Sequence, residues 1–177
     1  MFDIDELIEQ CRQAIHETDP RLAVHDVLER AVSRPDEVAA ALRSTTAEIV
    51  PLYVAEDLTV LKVVWAPGMR IWPHNHLMWA DIALYGGQED NSFFRRTPAG
   101  IEAAGGRQLR TGDVAALGPE TIHAVANPCR TYTGAIHVYG GDITSRPGRS
   151  EWDLDTLDEV PYDFERAKQI FADANVA

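Results

Sequence analysis

Histidines carry the chemistry this chain offers. His74 and His76 flank one residue in the run Gly68-Met-Arg-Ile-Trp-Pro-His74-Asn-His76, and His123 stands four residues before Asn127. Side chains two apart on an extended segment point to the same side, so His74 and His76 aim at one region of space. A third imidazole from another strand, His123, closes a triangle of nitrogen donors around one divalent metal. Imidazole suits iron, zinc, copper and nickel, and three nitrogen ligands leave positions open for substrate and oxygen. The competing reading is three packed or surface histidines without an ion.

Such a triangle needs rigid strands to hold it, and the chain supplies them. Residues 46–150 read as β, with apolar, β-branched and aromatic runs at 49–54, 58–65, 78–85, 92–96, 114–117 and 132–139. Pro67-Gly68, Gly86-Gly87, Gly105-Gly106, Gly118-Pro119, Asn127-Pro128 and Gly140-Gly141 separate them as turns. Many short, evenly spaced strands make a sandwich, jelly roll or barrel. Residues 1–45 read as helices: Ile4, Leu7, Ile8, Cys11 and Ile15 recur at helical spacing behind Asp3, and Asp19-Pro20 and Pro35 open two more. Their apolar stripes must pack on the outside of the barrel. In the tail, 151–177, Phe164, Ala167, Ile170 and Phe171 mark a C-terminal helix. Without repeats or linkers, the expectation is one domain, mainly β, over 1–177.

The spacing Gly68-x5-His74-x-His76, answered by Pro119, His123 and Asn127, resembles the paired motifs of the cupin superfamily. That resemblance implies a double-stranded β-helix, or jelly-roll barrel, holding a metal in its mouth. Cupins usually carry a glutamate ligand where this chain has Asp81. A cysteine dioxygenase-like subfamily lacks that glutamate and holds iron by three histidines. Gly134-Ala-Ile-His137-Val-Tyr139 looks like its Ser-x-His-x-Tyr relay, with Ala135 in place of serine. The run from Pro73 to Arg96 and the tail from Trp152 to Phe171 are similar to bacterial members of that group.

The resemblance implies a mononuclear non-haem Fe(II) dioxygenase converting a small thiol and O2 to a sulfinic acid. His74, His76 and His123 would be its ligands, with Tyr139 and His137 catalytic. Zn, Mn or Ni would instead serve a metal-dependent lyase, isomerase or hydrolase, and a non-catalytic ligand-binding cupin is the third class. Two departures bear on the substrate. No cysteine stands at Asp81 to cross-link the tyrosine, and Pro51-Leu-Tyr53-Val carries no arginine where the family binds a substrate carboxylate. Arg70, Tyr53 and Trp79 are therefore candidate substrate contacts, with Arg95 or Arg96 as a further cation; adjacent strand residues face opposite ways, so only one of those two can point inward.

Asp81 has three readings: a fourth ligand, an acceptor behind an imidazole, or a polar bystander. An unbroken strand 74–82 would turn it away from the histidines, and a break after His76 would let it face them. Gln88-Glu89-Asp90-Asn91 reads as a solvated hairpin end. The net charge of −12 repels phosphate backbones and anionic membranes, so neither nucleic acid nor membrane is an expected partner. Two cysteines and the absence of a signal-like start point to a reducing cytoplasm. A homodimer through edge strands is compatible with this fold.

Overall fold

The computed structural model describes residues 1–176. The chain opens with α1 (Ile4–Ala14), α2 (Pro20–Val32) and α3 (Pro35–Leu42). Asp3 accepts from the Asp5 and Glu6 backbone N–H groups, and Asp19 accepts from that of Leu22. These bonds satisfy donors that have no intrahelical partner, and proline at the first position forfeits none. Leu7, Cys11, Val24, Leu28 and Val38 are buried together with Val60, Ala83 and Val138 of the barrel. The three helices thus blanket one outer face.

Among the described residues eleven strands follow: β1 (Glu48–Val54), β2 (Thr59–Trp65), β3 (Arg70–Asn75), β4 (Ala80–Gly86), β5 (Gln88–Thr97), β6 (Gly100–Arg110), β7 (Val114–Leu117), β8 (Ile122–Ala126), β9 (Thr133–Tyr139), β10 (Ser150–Trp152) and β11 (Glu159–Pro161). α4 (Phe164–Asp173) closes the chain. The strands form two antiparallel sheets, ordered β1-β2-β9-β4-β7 and β11-β10-β3-β8-β5-β6. Strands distant in sequence lie side by side, β2 with β9 and β3 with β8, as a double-stranded β-helix requires. The fold is mainly β, a jelly-roll barrel with helices at both ends.

β4 shows how one strand serves two cores. Ala80, Ile82 and Leu84 face the barrel interior, while Ala83 and Tyr85 face the helices. A strand covered on both sides needs apolar residues at every position, and Asp81 is the exception.

Three segments differ from the sequence reading. β5 begins at Gln88, so the expected hairpin end at residues 88–91 is ordinary strand paired to both β6 and β8. The long β6 escapes detection because alanine and glycine carry little strand propensity. Gly105-Gly106 lies within it rather than at a turn, opposite Phe93 and Ser92, with a register shift beside Phe93. A side chain at Gly106 would bring Cβ to 2.9 Å from the Asn91 carbonyl oxygen, which explains the glycine. The tail adds more than a helix: β10 pairs with β3, placing Glu151 opposite His74. Among the described residues no helix is long and apolar enough to cross a membrane.

Candidate metal centre

The three histidines meet inside the barrel. β3 carries an irregularity between Ile71 and His74, which moves the inward face from the odd position 71 to the even positions 74 and 76. The strand then breaks at Leu77, whose φ of 55 lies in the left-handed region. His123 stands directly across from His74 on β8. One ligand nitrogen from each of His74, His76 and His123 lies within 4.8 Å of the others, and all three residues are buried.

Hydrogen bonds fix which nitrogen each ring turns inward. The Trp72 carbonyl can only accept, so His74 Nδ1, 3.0 Å away, carries the proton and Nε2 is bare. Asn91 Nδ2 donates to Glu89 Oε1 at 2.9 Å, which leaves Asn91 Oδ1 to accept from His123 Nδ1 at 2.7 Å. His123 Nε2 is therefore bare as well, and it sits 3.3 Å from His76 Nε2. His76 Nδ1, buried, has no partner among the described residues. One proton could relieve the His76–His123 pair but not the third nitrogen; a cation satisfies all three at once. Burial drives the His74 pKa down to about 3 and holds His76 and His123 well below the usual imidazole range. Neutral rings with inward lone pairs are the protonation state a metal needs. The donor set therefore fits a metal ion, of unspecified identity.

A small cavity opens beside the triangle. The space open to the centre of a water-sized sphere is about 40 Å³, a few waters' worth at roughly 10–15 Å³ each. Tyr139 and His137 line it from β9, their inward parity shared with Ala135. His137 Nδ1 lies 3.1 Å from the Tyr139 hydroxyl, and the Tyr139 ring meets His76 edge-on with centroids 5.1 Å apart. Burial pushes the Tyr139 phenol above its usual value, so it stays protonated at neutral pH.

Several expected site residues lie elsewhere. Asp81 is fully buried on the opposite face of β4, under α2, where its Oδ1 meets His25 Nδ1 at 2.6 Å. The strand breaks after His76, but β4 re-enters with Ala80 and Ile82 inward, so Asp81 is neither ligand nor support for one. Tyr53 points outward beneath the Arg12 guanidinium, 5.7 Å from its ring centroid. Trp79 packs on the outer side against Gly140, in the cluster shared with the helices. Arg70 is exposed on the outer face beside Pro73 and Asp90. Arg95 pairs with Glu102, and Arg96 with Glu159, both at the surface. None of these six reaches the cavity.

Three residues that the sequence reading passed over do reach the site or its support. Arg149 is 7% exposed and lines the cavity. Its Nε donates to the Asn75 carbonyl at 2.9 Å and one terminal nitrogen donates to that of Ile143 at 3.1 Å. Its guanidinium stacks 3.6 Å from the centroid of Tyr162, another cavity residue. Glu89 and Asn91, the supposed hairpin end, are buried behind His137 and His123. Their signal was available: both share parity with Phe93, which stands opposite His123. Arg149 gave none, since Arg-Pro-Gly-Arg-Ser reads as surface loop. Asn127 is structural, its amide donating to the carbonyls of Trp65, Ala66 and Thr131.

No family model matches the sequence, and no curated relative does either. Solved structures do match. A protein from Bacillus halodurans is 15% identical, over 60% of this chain and 76% of its own, with a TM-score of 0.51. An RmlC-like cupin family protein with a double-stranded β-helix fold, from Methanocaldococcus jannaschii, is 10% identical over 58% of this chain and 86% of its own, with a TM-score of 0.47. A cupin superfamily protein from Desulfitobacterium hafniense is 14% identical over 56% of this chain and 82% of its own, with a TM-score of 0.45. At these identities the likeness is one of fold.

Proposed function

We propose that the protein is a mononuclear non-haem Fe(II) dioxygenase that oxidises a small thiol to its sulfinic acid. The observation that carries this reading is a ligand set of three neutral imidazoles with no carboxylate, facing a cavity that also holds Tyr139. It is joined by the resemblance of the His137/Tyr139 pair to the relay of thiol-oxidising cupins. In the overall reaction both atoms of O2 enter the product: the sulfur loses four electrons and dioxygen gains them. When bound, ferrous iron would supply a common meeting place for thiolate and dioxygen.

The chain's own residues set the conditions around that place. Three uncharged ligands leave a dication's charge intact, and Arg149 adds a positive charge in the same cavity. An anionic substrate of a few heavy atoms suits both the charge and the volume. Tyr139, protonated, lines the cavity with its ring against His76 and offers its hydroxyl oxygen to substrate, and His137 orients it. Leu61, Val63, Ile71, Ile143 and Phe171 line the remainder and exclude water.

A lyase, isomerase or hydrolase using Zn, Mn or Ni calls for an acid/base group; of its two candidates Asp81 lies on the outer face of β4 and Tyr139 lines the cavity. The deciding experiment is metal analysis of anaerobically purified protein, with oxygen uptake and product mass across a panel of small thiols. Iron, uptake and a product heavier by two oxygen atoms are expected. A redox-inert native metal with no uptake would overturn the proposal in favour of the alternative class, and ligand-induced stabilisation without product would indicate a binding protein.

A further inference from the structure

Behind the site, one buried carboxylate touches both of its halves. Glu89 is 0% exposed, deep in a barrel where an unpaired charge would be very costly. Its Oε2 accepts from Trp65 Nε1 at 3.0 Å, and its Oε1 accepts from Asn91 Nδ2 at 2.9 Å. Asn91 passes the contact to the candidate ligand His123. On the other side His137 Nε2 lies 3.7 Å from Glu89 Oε2 and has no hydrogen-bond partner among the described residues, while His137 Nδ1 faces the Tyr139 hydroxyl.

We propose that Glu89 is the positioning residue of this centre, setting the tautomers of His123 and His137 together. Toward His123 the effect is relayed. The carboxylate can only accept, so it fixes Asn91 with its amide nitrogen outward and its oxygen toward His123. His123 must then hold its proton on Nδ1 and keep Nε2 bare. Toward His137 the effect is direct and electrostatic. A carboxylate at ion-pair distance favours an N–H over a lone pair facing it, which places the His137 proton on Nε2. His137 Nδ1 is then an acceptor, and the Tyr139 O–H donates to it. The phenol oxygen turns its lone pairs toward the cavity, so an entering thiol meets an acceptor rather than a second donor. Ala135 stands where the relay of thiol-oxidising cupins has serine; Glu89 holds the histidine from a different strand.

The test reads imidazole nitrogens by NMR in metal-free protein, where six histidines give separable signals. His137 is expected as the Nε2–H tautomer and His123 as Nδ1–H. In Glu89→Gln the oxygen that accepts from Trp65 Nε1 stays in place, so the NH2 faces Asn91, Asn91 turns over, and His123 is expected to switch to Nε2–H; Glu89→Asp retains both tautomers. Should Glu89→Gln fail to fold, the His137 tautomer of the unaltered protein and the Asn91→Ala variant still decide each half. An Nδ1–H His137 in the unaltered protein overturns the His137 half, and an Nδ1–H His123 in a folded Glu89→Gln overturns the relay through Asn91. For His123, Asn91→Ala is expected to weaken zinc binding roughly 10–100-fold; undiminished affinity overturns that half. Only the zinc arm rests on the metal-site reading. A protein inert toward thiols would still show both tautomers, so failure of the dioxygenase proposal is separable from failure of this one.

Discussion

Replacing Asp81 by asparagine tests both the electrostatics under α2 and the geometry of the site. Asp81 is 0% exposed; Oδ1 contacts His25, and Oδ2 has no partner among the described residues. Burial raises its carboxyl from 3.8 to about 6, against the pull of His25 and the more distant Arg21. Such a group favours the fold while protonated. Its contribution is complete below 3.8 and is lost as pH rises through about 6. At 1.36 kcal/mol per pH unit the interval corresponds to roughly 3 kcal/mol. Asparagine keeps an oxygen to accept from His25 and does not titrate, but it buries an amide nitrogen without an acceptor, at a cost of about 1–3 kcal/mol. The two effects nearly cancel at neutral pH and separate in acid. Urea unfolding from pH 4 to 7 should show the stability of the unaltered protein, relative to Asp81→Asn, falling by roughly 3 kcal/mol. If that difference instead climbs between pH 3 and 5 and then levels, a charged His25–Asp81 pair outweighs burial and the reasoning is wrong. Because Asp81 faces away from the triangle, the same variant should bind metal with unchanged stoichiometry and affinity; loss of metal would refute its placement.

A divalent metal at a hundred times its Kd should stabilise the protein by about 2.7 kcal/mol. For a chain of this length that raises Tm by roughly 5–10 °C, and His74→Ala or His123→Ala should abolish the shift in a thermal melt. A Cβ at Gly134 would collide with the Tyr85 ring, so Gly134→Ala should destabilise by about 1–3 kcal/mol through overpacking, measured by urea unfolding. Burial pushes the Cys11 thiol up to about 12. Native protein treated with iodoacetamide at pH 8 should therefore carry one adduct by mass, on the partly exposed Cys129, and two only after unfolding.

Barrel and histidine triangle could be read from the sequence because their signals are local. Alternating apolar residues and punctuating glycines mark most strands, and an i, i+2 histidine pair has one geometric meaning on an extended segment. β6 could not be read, since its alanines and glycines hold their place through backbone bonds to β5 rather than through any preference of their own. Polar residues near the site proved hardest, and the two acids show why. Asp81 sits closer to His76 in sequence and occupies the position where related motifs carry a ligand, yet β4 turns it out beneath α2. Glu89 reads as the solvated end of a hairpin, yet β5 turns it in. One residue of parity separates a carboxylate under the helices from one behind the candidate ligands, and composition contains no record of parity. What records it is the partner strand: Phe93 must face inward because it stands opposite His123, and Asn91 and Glu89 follow at steps of two. Arg149 lies beyond that logic altogether. Its place in the cavity depends on carbonyls of Asn75 and Ile143 and on the ring of Tyr162, contacts that exist only once β10 has docked on β3.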